Sequence, residues 1–161
     1  MGASEYFMAA PGRARSRRSG GAPSLAGFGP RASAFLLDYI LTLMIPAATL
    51  VLGVYIKRSW HAPGVAGVVV IVGYVATAAV IFLNNVYFCV LDGRSFGKRF
   101  IGLRVARIDG APIDYRTAIL RHLVGYPLAL LTLGIGMLWI LWDEQQQGLH
   151  DKMAKTIVVA D

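Results

Sequence analysis

Apolar positions along the chain gather into three long runs, and all charge but one residue lies outside them. From Ala32 to Ile56 the one charged residue is Asp38, from Val65 to Leu91 there is none, and from Leu123 to Trp142 there is again none. A helix over either of the first two runs, at 1.5 Å per residue, crosses the ~30 Å of bilayer hydrocarbon. A cleaved signal peptide would have an apolar core of only about 7 to 15 residues and no internal acid. Lys57, Arg58, Trp60, His61, Pro63 and Gly64 between the two runs allow no more than a hairpin connection with an interfacial Trp. The pattern predicts an antiparallel transmembrane hairpin, with spans at about 32–56 and 65–91.

The third segment, about 118–142, is interrupted by Gly125, Pro127, Gly134 and Gly136, a mark of discontinuous or re-entrant helices. Ahead of it, residues 92–116 are polar and basic. There Ile101, Leu103 and Val105 alternate with Gly102 and Arg104 in strand fashion, Asp109-Gly110 is a turn pair, and Asp114 is an N-cap with Ile113 and Ala118 placed to staple. The helix so started carries Arg116 and Arg121 at its mouth. The final Thr156-Ile157-Val158-Val159 is strand-like and is placed to pair with residues 101–108. That pairing makes the third segment turn back and is favoured here over a third crossing. The fold class expected is all-α integral membrane: a helix hairpin, a Gly-broken third segment that spans or re-enters, and a minor cytoplasmic two-stranded β element.

Composition agrees. Hydrophobic residues make up 56% and charged residues 16% of the 161 residues, against about 45–50% and 25% in soluble domains. The mean hydropathy is +0.56. The net charge of +7 sits in the N-terminal tail and in the loop after Leu91, so the positive-inside rule places both in the cytoplasm of a cell-membrane protein. Aromatic residues such as Tyr55, Trp60, Tyr87, Tyr126, Trp139 and Trp142 lie at segment ends as in an interfacial belt, and do not interleave with the basic residues, which argues against nucleic acid as a partner. Residues 1–30, with Arg13, Arg15, Arg17 and Arg18, read as a disordered basic cytoplasmic tail, and 31–161 as the membrane domain. Cys89 is the lone cysteine, which excludes an internal disulfide and a cysteine-based zinc or redox site.

Arg31-Ala32-Ser33-Ala34-Phe35-Leu36-Leu37-Asp38, Ser95-Phe96-Gly97-Lys98-Arg99 followed by Ile101-Gly102-Leu103-Arg104-Val105, and Trp142-Asp143 through Gln147, Leu149-His150-Asp151 and Ala154 to Val159 resemble, in order and spacing, the RDD family. These are small prokaryotic membrane proteins named for one Arg and two Asp. The name residues map onto Arg31, Asp38 and Asp151, with Asp143 the rival for the third place. The family often has Thr-Pro-Gly-Lys where this chain has Ser95-Phe96-Gly97-Lys98. The resemblance implies a multi-span domain for which transport is suspected, with cation/proton exchange attributed to some members.

Arg31 and Asp38 stand seven apart, on one helical face and about 10 Å along the axis. An ionised carboxylate inside a bilayer costs roughly 2.5 to 3.5 kcal/mol and therefore seeks a partner. Asn84 and Asn85 fall at a matching depth on the returning helix, both placed to donate to Asp38. Asp38 with these amides, Arg31, Asp151 and Asp143 form either a cation or proton site or a structural charge network. No catalytic or metal constellation stands out. Gly93 to Arg99 has the wrong spacing for a P-loop, His150 lacks a second ligand, and His61 and His122 are isolated. Two functions remain on this reading. One is a homo-oligomeric transporter of a small cation or proton, and the other a non-catalytic accessory or assembly subunit of a membrane complex. Both take the lipid bilayer as partner, with no enzyme activity and no cofactor.

Overall fold

The computed structural model describes residues 24–132 and 134–160. The tail read from residues 1–30 thus lies, as far as residue 23, outside the described residues.

Two long helices form the hairpin. The first, α1 (Phe28–Ser59), follows Gly27 and begins ahead of the apolar run. Pro30 fits there because the N–H groups of a first turn have no intrahelical acceptor. Pro46 sits inside the helix, where Thr49 Oγ1 donates to the carbonyls of Ile45 and Pro46, both at 3.1 Å. The second, α2 (Pro63–Asp92), opens on a proline, widens into a π turn at Leu83–Tyr87, and closes at Gly93, whose φ of 76° is the left-handed conformation that glycine supplies freely. Both helices are long and apolar enough to cross a membrane, and only 11% of the most apolar stretch of either is buried inside the protein. They meet through small residues. A Cβ on Gly73 would lie 2.1 Å from Thr49 Oγ1, so this contact exists only because Gly73 has no side chain.

Beyond α2, Ser95 caps α3 (Phe96–Ile101) by accepting from Lys98 N at 3.4 Å. Strand β2 (Leu103–Arg107) follows directly. Asp114 then caps α4 (Tyr115–Leu131), accepting from Thr117 N at 2.9 Å. A second π turn, Leu120–Gly125, lies within α4. Helix α5 (Ile135–Leu141) runs at 111° to α4, so the third apolar segment bends sharply where its glycines predict a break. A short α6 (Leu149–Ala154) packs on the π turn of α4 and leads into strand β3 (Thr156–Ala160).

The β element has three strands where two were expected. Ser24–Leu25, counted with the tail, is a strand, β1, and β3 lies in the centre of the antiparallel order β1-β3-β2. Leu25 pairs with Val159, and Leu103 to Arg107 pair with Ala160 to Thr156. Two residues are too few to show period-two alternation, so composition alone misassigns them. Because β1 precedes α1 and β2 follows α2, the sheet sits at the end of the hairpin where the first helix begins and the second ends. The chain's last strand is at that same end. A small core of Ala26, Ala34, Val86, Cys89, Leu103, Val105, Ala118 and Val158 joins sheet and helices.

Candidate functional site: two buried carboxylates at the base of the hairpin

Asp38 and Asp151 are both buried at this junction, and each is the centre of its own network.

Around Asp38, Asn84 Nδ2 and Gly97 N donate to Oδ1 at 2.8 and 2.7 Å, while Ser95 Oγ donates to Oδ2 at 2.5 Å. The donors come from the π turn of α2 and from the start of α3, which Ser95 caps. Asn84 Oδ1 in turn accepts from Phe96 N at 2.8 Å, and Lys98 Nζ donates to Ser95 Oγ at 3.3 Å. Gly97 is required by space: a Cβ there would stand 2.0 Å from the Ala34 carbonyl oxygen and 3.1 Å from the Asp38 carboxyl carbon. The loop after α2 is thereby clamped onto the first helix through one carboxylate with three donors.

Asp151 lies between two arginines. Arg31 Nη1 donates to Oδ2 at 2.7 Å, and Arg121 Nη1 is 2.5 Å from Oδ1. Gly148 N also donates to Oδ2, at 3.1 Å. Arg31 further donates to the Ala26 carbonyl at 2.9 Å, ahead of its own helix, and Arg121 donates to Thr156 Oγ1 at 2.5 Å. Gln147 Nε2 completes the cluster by donating to the Thr156 carbonyl at 2.8 Å. Helix α1, the π turn of α4, helix α6 and strand β3 thus converge on a fully buried carboxylate.

Burial works to raise the Asp151 pKa, and the charges facing it, led by Arg121, outweigh this and hold it below its ordinary 3.8. His150, beside it, is pushed down from 6.5 to about 4, mainly by burial, with Asp151 opposing. At neutral pH His150 is therefore uncharged, and the two arginines face Asp151 with one positive charge in excess. Its Nε2 lies 3.5 Å from Asp151 Oδ2, and its buried Nδ1 has no hydrogen-bond partner among the described residues. The ring stacks on Tyr126 at 4.3 Å between centroids, and Tyr126 stacks on His122 and on Phe35.

The structure thus divides the residues singled out from sequence into separate groups. Asn84 reaches Asp38, whereas Asn85 Nδ2 donates to the Ile81 carbonyl of its own helix at 3.1 Å. Arg31 pairs with Asp151 and not with Asp38, despite sharing a helical face with the latter. Asp143 pairs with Lys152 and accepts from Gln147 N, so it touches neither Asp38 nor Asp151 and joins the Asp151 cluster only at its edge, through Gln147. Sequence reasoning missed Arg121 as the second clamp on Asp151, and Ser95 and Gly97 as donors to Asp38. The signal for Arg121 was a lone cation at the head of an apolar run, where burial without a counter-charge would be expensive. Among the described residues no three His, Cys, Asp or Glu side chains come together as a metal site.

The profile of the RDD family matches residues 25–155, from the second residue of β1 past the end of α6, and includes Arg31, Asp38, Arg121 and Asp151. An uncharacterized protein of Rickettsia prowazekii (strain Madrid E) is 29% identical over 94 residues, covering 53% of this chain and 52% of that protein. The chain therefore spans about half the length of this curated relative. No solved structure matches the chain.

Proposed function

The chain belongs to the RDD family, and from that premise and its two long apolar helices we propose a multi-pass protein of the cell membrane that serves as a non-catalytic accessory or assembly subunit. The N-terminal end of α1, the sheet and the basic loop face the cytoplasm, and the bent third segment enters the bilayer from that side and returns.

One observation carries this choice: the oxygens of both buried carboxylates are already taken up by donors from the chain itself. A site that loads and releases a cation needs oxygen lone pairs free to exchange. Here each Asp38 oxygen already accepts from the chain, Oδ1 from Asn84 and Gly97 and Oδ2 from Ser95, so a cation would compete with those donors, and Lys98 is held one hydrogen bond away. The geometry supports a clamp better than a carrier. Transport of a small cation or proton by a homo-oligomer is the second reading, and it rests on Asp38 being an ionisable group in the first apolar run.

Flux measurement separates the two. Purified protein in liposomes, followed with pH- and sodium-sensitive dyes, is expected to give background traces for wild type and for Asp38→Asn alike. A wild-type flux abolished by Asp38→Asn would overturn the accessory reading in favour of transport. Purification in mild detergent is expected to recover a second membrane protein with the chain, and recovery of this chain alone would count against assembly.

A further inference from the structure

Outside the two networks, a surface groove of about 640 Å³ lies between α4, α6 and the end of β2. Arg107, Arg116 and Lys155 stand on it with one carboxylate, Asp114, and with the apolar Leu120, Val124 and Met153. Arg116, Leu120 and Val124 are spaced four apart on α4, so they form one stripe running roughly 12 Å from the mouth of the helix into the apolar segment. The stripe begins with a cation and continues without charge.

The cations differ in what they already hold. Arg107 is engaged by Asp109 at 2.6 Å and stands 3.7 Å from Asp114. The side chains of Arg116 and Lys155 have no ion pair or hydrogen bond among the described residues. Lys155 also closes α6 at φ 51°, a left-handed conformation that Gly or Asn adopts with less strain than lysine. Backbone geometry therefore does not explain a lysine there, whereas a cationic side chain on the groove does.

We propose that this groove binds an anionic phospholipid, its phosphate held between Arg116 and Lys155 and the upper part of one acyl chain along Leu120, Val124 and Met153. Charge complementarity selects the headgroup, since two unpaired cations face one asymmetric, partly apolar cleft. The apolar stripe selects a lipid over a free phosphate, which would leave that wall uncovered. The orientation also fits, because the cationic end of α4 is where the third segment enters the bilayer from the cytoplasmic side. The inference uses that placement and is independent of whether the protein transports or assembles.

The test uses the full chain in dodecyl maltoside, titrated with phosphatidylglycerol or phosphatidylcholine and read by native mass spectrometry. Wild type is expected to retain one phosphatidylglycerol in preference to phosphatidylcholine. The double variant Arg116→Gln/Lys155→Gln should lose on the order of tenfold or more in that affinity with an unchanged melting temperature, as both side chains are exposed. Val124→Trp, which fills the cleft and leaves the cations in place, should lose the lipid as well. Arg58→Gln, at the opposite end of the hairpin, should retain it. Equal retention of the two lipids, an equal loss with Arg58→Gln, or glycerol phosphate binding as tightly as phosphatidylglycerol would each overturn the proposal.

Discussion

At the residue scale the two carboxylates differ in how they can be broken. Asp38→Ala removes the acceptor for Asn84, Ser95 and Gly97 at once and leaves buried donors without partners. Such orphaning costs about 1–3 kcal/mol per group. With three donors left unpaired we expect Asp38→Ala to lose about 3 kcal/mol or more and to melt well below wild type in detergent. Asp38→Asn retains an oxygen for Asn84 and Gly97 and loses only the bond to Ser95, whose lone pairs already accept from Lys98, so its loss should be about half as large. Equal melting of Asp38→Ala and wild type would show that the clamp contributes nothing.

Acid acts on the other network. His150 is held at about 4 against an ordinary 6.5, so as pH falls the unfolded chain takes up that proton first. Its contribution is complete above about 6.5 and is lost progressively down to about 4, with a size on the order of 3 kcal/mol. Asp151, held below 3.8, adds a contribution that is lost only as pH falls through that lowered value. Melting temperature measured against pH should thus fall in two stages, and His150→Phe should flatten the first. A flat profile between pH 7 and 4 in wild type would contradict the burial of a neutral imidazole.

At the scale of elements the hairpin depends on small residues more than on large ones. Gly73→Leu forces a side chain into Thr49 and should destabilise by about 1–3 kcal/mol, detectable as earlier melting and faster proteolysis of the Lys57–Gly64 connection. The same substitution at Gly67, where no atom lies within 4 Å of an added Cβ, should be tolerated. How much of this was visible in sequence follows from the kind of signal each element leaves. The hairpin was legible because uncharged runs of helical length leave few alternatives, and the start of α4 because Asp114 is a local cap. Strand β1 was not, since a two-residue strand has no period. The pairing of Arg31 with Asp151 was not either. Spacing of seven on one helix suggests that Arg31 serves Asp38, but a long side chain near a helix start points back toward the N-terminus, and there it meets α6 and β3. Both π turns were invisible because π widening is set by tertiary contact, and they carry Asn84 and Arg121, two residues on which the networks depend.

At the scale of the whole molecule, sheet and networks bring both ends of the third apolar segment to the end of the hairpin where α1 begins and α2 ends. The third apolar segment begins after β2 and ends before β3, its neighbour in the sheet, so it leaves and returns on one side. A reporter fused after Asp161 should therefore report the same compartment as one fused before Met1, and one inserted at His61 the opposite compartment. Opposite signals from the two termini would require β3 to be torn from β2 and would show a third crossing.

Strand β3 lies in the middle of its sheet yet is the last part of the domain to leave the ribosome. Until it emerges, Leu103 to Arg107 and Ser24–Leu25 have no strand to bond with, and Arg31 waits for a counter-ion 120 residues downstream. The two leading helices can form while the rest of the domain is still being translated. A chain released before Asp151 would therefore carry a hairpin whose base never closes, with exposed strand edges and an unpaired guanidinium at Arg31.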